Sequence, residues 1–313
     1  MSEQYPWPKI TPGAHVGTIC TAKAISMEEI QPALAWMQTE GYVMHSGKTI
    51  GQRHHQLGGT DAERAADLIS MLQDEAISAI WFARGGYGTI RIMDLVEPFL
   101  TGPALPLMCG YSDLTVLHAY LNTQKKIPTL HSCMPVQFQA LTSAARQSFL
   151  DCLKHEPLLY EMKPSEYNIH GEVVAPITGG NISILNSLLG TKYDWLADGW
   201  ILFLEEVDEW LYHLDRMMQS FKLAGKLDKL KGVIVGGLTN MHDNEIPFGA
   251  SAEGIIANYF KHLSLPVAFG FPAGHLDNNC SIPFGVPAKL TVNANGSSVN
   301  FSPLANSPGK VEE

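Results

Sequence analysis

Apolar residues along this chain recur with two different periods, and the alternation between them predicts its elements. His15 to Thr21 follow the turn-forming Thr11-Pro12-Gly13 and read as a first strand. Ser26 can then cap a helix reaching about Glu40, with Ile30, Leu34 and Met37 on its apolar face. Tyr42 to Met44 resume as a short strand. From Thr60, the run TDAERAADLISMLQD predicts a second helix, with Thr60 and Glu63 spaced as a capping box and Ala66, Ile69 and Leu72 on the apolar side. Ile77 to Ala83 is apolar almost throughout, as in a strand covered on both faces, and it ends in Arg84-Gly85-Gly86-Tyr87-Gly88. A further strand containing Leu105, Leu107 and Met108 runs into Cys109-Gly110-Tyr111-Ser112-Asp113, after which Leu114, Leu117 and Leu121 recur at helical spacing.

The second half repeats the alternation. Ile177-Thr178-Gly179-Gly180-Asn181 leads into the helix-like ISILNSLLG. Trp200 to Glu206 form an apolar strand that ends in carboxylates, and Leu211, Leu214 and Met218 mark the helix behind it. Gly232 to Gly237 is another buried strand, Ser251 to Leu263 a helix, and Val267 to Phe271 a strand delivering Pro272-Ala273-Gly274-His275. The tail alternates around Asn295-Gly296 as a β-hairpin. These elements predict an α/β protein: an N-terminal doubly wound, mostly parallel sheet domain over residues 1–145, a linker over 146–175 that is polar and rich in proline, and a C-terminal β-rich α/β domain over 176–313.

Composition narrows the functional classes. The chain has 313 residues, 45% hydrophobic and 17% charged, which excludes disordered and coiled-coil classes. Its formal net charge of -10, without a dense Lys/Arg cluster, argues against a nucleic-acid partner. The first residues lack a basic start and an apolar leader, and no run approaches membrane-spanning length, so a cytoplasmic protein without membrane contact is expected. Cys20, Cys109, Cys133, Cys152 and Cys280 are scattered without paired spacing and read as buried thiols. The polar loop with His45, His54 and His55 has no carboxylate or cysteine at matching spacing, so no metal is expected; the glycine turn lacks the full G-x-G-x-x-G spacing and follows a late strand, so no cofactor is expected either.

In doubly wound sheets, ligands bind beyond the carboxyl ends of the strands, where both the glycine turn and Ser112 fall. Ser112 or Asp113 could serve only as a helix N-cap. Alternatively, Ser112 is a nucleophile, with the amides of the following turn free to hold an oxyanion. A serine nucleophile needs a base, and that base needs an acid to orient it. His275, on a loop after a strand, and Glu205, at a strand end, fit these roles. Side chains alternate across a strand, so only one of Glu205 and Glu206 can face the cleft, and the other is expected in solvent.

Four segments in this order resemble the LD-carboxypeptidase family of serine peptidases, which includes muramoyltetrapeptide carboxypeptidases and microcin-immunity peptidases. They are Arg84 to Gly88, Gly110 to Asp113, Phe203 to Glu205 with Tyr212 to Arg216 behind it, and Gly270 to His275. The resemblance implies Ser112 as nucleophile, His275 as base, Glu205 as the orienting acid, and the backbone amides of Gly86 and Asp113 as oxyanion hole. It also implies a two-domain fold, a homodimer, and a murein-derived peptide as substrate. Arg84 and Asn181 are candidates to grip the substrate's terminal carboxylate or backbone. The chain departs from the family where the first strand ends in Cys20-Thr21-Ala22-Lys23 and after His275. A microcin-like peptidase acting on peptidyl or aminoacyl nucleotides and a non-catalytic small-ligand binding protein are the alternatives. An α/β-hydrolase lacks support because Leu114 replaces the second glycine of G-x-S-x-G.

Overall fold

A computed structural model describes residues 9–102 and 105–301. The first eight residues, on which the expected absence of a leader partly rests, lie outside it. In chain order the elements are β1 (His15–Thr18), α1 (Met27–Thr39), β2 (Val43–Ser46), α2 (Asp61–Gln73), β3 (Ile77–Trp81), α3 (Thr89–Val96), β4 (Leu107–Gly110), α4 (Thr115–Tyr120), β5 (Thr129–His131), α5 (Ser143–Lys154), β6 (Leu159–Met162) and β7 (Gly171–Asn181). They continue as α6 (Ile182–Ser187), β8 (Ile201–Val207), α7 (Leu211–Leu223), β9 (Gly232–Thr239), α8 (Ala252–Phe260), β10 (Val267–Phe269), β11 (Ile282–Phe284), β12 (Pro287–Asn293) and β13 (Gly296–Asn300). The fold is the expected α/β class in two parts. A six-stranded sheet has the order β11-β5-β4-β3-β1-β2, and a seven-stranded sheet the order β10-β9-β8-β7-β12-β13-β6.

β1 to β5 pair in parallel, and β11 adds to the edge antiparallel to β5. In the second sheet β7 to β10 pair in parallel, whereas β12, β13 and β6 extend it antiparallel. Parallel strands buried on both faces account for the nearly continuous apolar runs in β3, β8 and β9. Both N-terminal capping boxes form, Ser26 with Glu29 and Thr60 with Glu63.

Three features differ from the sequence expectation. Residues 146–175, expected to be a linker, contain most of α5, all of β6 and the start of β7. The α5 pattern is diluted by polar residues, and β6 is an edge strand whose Leu159 is exposed, so neither shows a clean period. The strand β11 lies in the first sheet although it follows the whole second parallel set; three residues including Pro283 carry too little periodicity to reveal it. On α2 the buried residues are Arg64, Ala65, Asp67 and Leu68, and Ala66 is exposed. Arg64 enters the interior because backbone carbonyls there accept its guanidinium: those of Gly59 (3.2 Å), Gly88 (2.8 Å) and Thr21.

All five cysteines are buried. Among the described residues no helix is long and apolar enough to cross a membrane.

The two sheets meet along β7. Gly179 and Gly180 hold φ of 138° and 134°, and side chains there would strike the Phe203 carbonyl and the Thr115 hydroxyl respectively. Gly179→Ala therefore combines backbone strain with a clash against backbone. It should lower stability by at least about 2 kcal/mol, beyond the roughly 1 kcal/mol of positive-φ strain alone. Gly249 is the control, with φ of 90° and open space around it. Urea unfolding midpoints of the two alanine variants measure the difference.

Candidate active site

Four strand ends supply the site. β4 ends at Gly110, and the chain turns sharply so that Ser112 takes a φ of 61°. That left-handed conformation is uncommon for a residue with a Cβ and projects the side chain off the sheet edge. Ser112 opens a single 3-10 turn, Ser112–Leu114, ahead of α4, and its side chain makes no capping bond to the helix. Asp113 does not cap its own helix either. Its buried carboxylate accepts the Thr89 N–H at 2.8 Å at the start of α3, tying the serine turn to the glycine turn. Burial pushes the Asp113 carboxyl up from its ordinary value, against the lowering effect of the Thr89 bonds and of Arg64.

The glycine turn needs its glycines. A Cβ on Gly85 would lie 2.9 Å from Ser112 Cβ and 3.5 Å from the Asp113 nitrogen, so this backbone packs directly on the serine. Gly86 has a φ of 110°, and Gly88 a φ of 141° with its carbonyl held by Arg64. Arg64 thus clamps the far end of the turn. The sequence clue to it was a lone arginine four residues before Leu68 on the helix face that packs inward.

β10 leads to the loop bearing His275, and β8 delivers Glu205. His275 Nε2 lies 3.1 Å from Ser112 Oγ, and His275 Nδ1 lies 2.7 Å from Glu205 Oε2. Gly274, with φ of 112°, leaves room for the carboxylate, since a Cβ there would sit 2.9 Å from Glu205 Cβ. Its N–H donates to the buried Asn279 Oδ1 at 2.9 Å, and Thr239 Oγ1 donates to the His275 carbonyl at 3.2 Å, which together hold the loop. The Tyr111 ring packs against the imidazole, with centroids 4.8 Å apart.

The two neighbouring glutamates differ in what surrounds them. Glu205 is fully buried, its Oε1 has no hydrogen-bond partner among the described residues, and its charge faces His275. Glu206 is also buried, at 2% exposure, contrary to the expected solvated position. It points to the opposite side and accepts from Asn181 Nδ2 (2.7 Å), Ser183 N (2.7 Å), Ser183 Oγ (2.6 Å) and Val207 N (3.0 Å). Those donors, gathered by the start of α6, make burial tolerable where solvent was expected. Burial and the nearby Glu205 raise the Glu206 pKa.

Asn181 was expected to grip substrate. Its side chain instead bonds Glu206 and caps α6 through the Ile184 N–H at 3.2 Å, and it is 5% exposed. Arg84 does face the cleft. Its guanidinium donates to the Ala24 carbonyl at 3.2 Å and stands 3.8 Å from Glu29. The open cleft above Ser112, about 220 Å³, is lined by Arg84, Gly85, Gly86, Tyr111, Ser112 and His275, together with Lys23, Met134, Val136 and Gln137.

Burial favours the neutral His275 ring. The charge and hydrogen bond of Glu205, with Glu206 behind it, outweigh burial and hold the pKa above the ordinary 6.5. A serine hydroxyl, an imidazole and a buried carboxylate in this series can move a proton off the hydroxyl and stabilise the resulting imidazolium.

Comparisons with known proteins identify the family of the chain. The LD-carboxypeptidase N-terminal domain matches residues 16–132, and the LD-carboxypeptidase C-terminal domain matches residues 174–290. A putative carboxypeptidase of Streptomyces coelicolor is 30% identical over 96% of this chain and 97% of its own length. A probable murein peptide carboxypeptidase of Bacillus subtilis is 29% identical over 89% of each chain. Among solved structures, muramoyltetrapeptide carboxypeptidase from Oxalobacter formigenes superposes with a TM-score of 0.83 at 21% identity, covering 92% of this chain and 98% of that one. The microcin C7 self immunity protein does so at 0.82 and 18%, covering 96% and 100%. These two structural likenesses concern the fold alone. The chain belongs to the LD-carboxypeptidase family, and it is a hydrolase of that serine peptidase class.

The raised His275 pKa has a direct readout. In a histidine Cε1–H NMR titration His275 should titrate above 6.5, and Glu205→Gln should lower its midpoint by removing the anion that favours imidazolium. A folded value above the unfolded one also means that the pair's contribution to stability is full below about pH 6.5 and is lost as pH rises through the folded value.

Proposed function

We propose that this protein is a serine carboxypeptidase that removes the terminal D-amino acid across the L,D peptide bond of murein-derived tetrapeptides. It would serve cell-wall recycling in the cytoplasm, acting as a homodimer as the family resemblance implies. One observation carries the reading: the hydrogen-bonded path from Ser112 Oγ through His275 to the buried Glu205, opening on a cleft with basic side chains at its rim. The murein peptide carboxypeptidase name of the Bacillus subtilis relative supports the substrate class.

In this mechanism Ser112 Oγ attacks the carbonyl carbon of the L,D bond while its proton passes to His275 Nε2. Glu205 holds Nδ1–H and stabilises the imidazolium. The tetrahedral oxygen is received by the N–H groups of Gly86 and Asp113, on the two turns that pack against each other at Gly85. His275 returns the proton to the leaving amine, and the D-amino acid departs. Water, deprotonated by the same imidazole, then hydrolyses the tripeptidyl ester and restores Ser112. Arg84 faces the substrate's terminal carboxylate.

Ser112→Ala should lower kcat by about 10⁴-fold or more, as measured by D-alanine release from murein tetrapeptide, with an unchanged circular dichroism spectrum. Release retained by that variant would defeat the mechanism. In the wild type kcat/KM should rise with pH through a group titrating above 6.5, because only neutral His275 accepts the serine proton. Peptidyl and aminoacyl nucleotides assayed alongside distinguish the microcin-like alternative, which predicts faster turnover of those compounds. A protein that only binds small ligands would turn over neither.

A further inference from the structure

The departure from the family pattern at the end of the first strand places an additional cation in the cleft. Lys23 is half-buried, and its stem lies over the glycine turn: a Cβ on Gly86 would meet its Cδ at 2.7 Å, its Cγ at 2.9 Å and its Cε at 3.0 Å. The ammonium therefore sits one bond beyond atoms already packed on the proposed oxyanion-hole glycine. Among the described residues it has neither a hydrogen bond nor an ion pair.

The backbone holding it is well fixed. Cys20 Sγ donates to the Lys23 carbonyl at 2.7 Å, the Gly58 N–H donates to Ala22 O at 3.0 Å, the Ala24 N–H donates to Gln56 O at 2.8 Å, and Lys23 bridges to Leu57. Arg84 donates to the carbonyl of Ala24, the very next residue, so one short segment ties both cations to the same cleft. The net charge is -10, yet Lys23 and Arg84 are basic and no carboxylate lines the cleft. Two cations gathered beside a serine hydroxyl in an acidic protein suit an anion attached close to the bond being attacked.

We infer that Lys23, together with Arg84, is the specificity-determining anchor for the α-carboxylate of the departing terminal residue. The inference rests on the carboxypeptidase reading and deepens it. In a carboxypeptidase substrate that carboxylate is two bonds beyond the scissile nitrogen, so its anchor must stand close to the oxyanion hole, as the Lys23 stem does over Gly86. The ammonium provides the point charge, and the Arg84 fork, steadied by Ala24 and Glu29, provides direction.

The test uses murein tetrapeptide and the same peptide with its terminal carboxylate converted to the carboxamide. Turnover is measured with wild type, Lys23→Met, which keeps the stem, and Lys23→Arg. Binding of both peptides is measured by calorimetry in the Ser112→Ala background, with Lys23 and with Lys23→Met. Lys23→Met should weaken binding of the acid and raise its KM roughly ten- to hundredfold, leave the amide within about twofold, and be rescued by Lys23→Arg. Equal losses on acid and amide, or an unchanged preference for the acid, would overturn the assignment while turnover by the wild type left the carboxypeptidase reading standing. A wild type that cleaves neither peptide would overturn that reading. The calorimetric preference for the acid then decides Lys23 by itself: its dependence on Lys23 supports the anchor, and its absence overturns it.

Discussion

The hydrogen bond between His275 and Ser112 crosses from one sheet to the other, and the site exists only while the sheets stay docked. Ser112 leaves the first sheet at β4, whereas Glu205 and the His275 loop belong to the second. A 3.1 Å contact tolerates little sliding, so the junction around it is built from close approaches. Asn181 N–H donates to Thr115 Oγ1 at 3.0 Å, the Thr178 hydroxyl donates to Asn122 Oδ1 at 3.3 Å, and Gly180 lets Thr115 pack on the β7 backbone. The late strand β11 closes the arrangement by joining the first sheet soon after the chain has placed His275 in reach of Ser112. Phe203, Phe284 and His131 pack at ring distances of 4.9 to 5.9 Å behind this junction.

Two buried glutamates side by side cost desolvation twice, and the fold treats them differently. Glu206 spreads its charge over four donors and fastens α6 and Asn181 to the end of β8. Among the described residues the Glu205 carboxylate has His275 as its one hydrogen-bond partner, so its charge is directed at the imidazole. The carboxylate with few donors is the one able to favour an imidazolium that forms transiently. A carboxylate already satisfied by four donors gains less from a new positive neighbour. Gly274 contributes by its missing side chain, since the Glu205 carboxylate fills that space.

Strand ends marked by glycine or by an abrupt change of period were legible in the sequence. Ser112, the Gly85-Gly86 turn, Glu205 and His275 all fall at such ends, and the α/β class follows from the same alternation. What could not be read were features set by distant partners. Arg64 is polar, yet it is buried because three carbonyls from separate segments converge on it. The alternation rule sends Glu205 and Glu206 to opposite sides but says nothing of the donors that bury Glu206. Asn181 looked available because its commitment to Glu206 spans 25 residues. β11 and the helix and strand within 146–175 were hidden by shortness, proline and edge exposure, conditions in which tertiary pairing decides the structure and local pattern does not.

The claim that Ser112 carries the substrate's acyl group is open to one direct measurement: acid-quenched mass spectrometry of the wild-type protein during turnover of murein tetrapeptide, followed by peptide mapping. The mechanism predicts a tripeptidyl ester on the peptide containing Ser112, appearing as the D-amino acid is released and disappearing when substrate is exhausted. An acyl group mapped to any other side chain would contradict it.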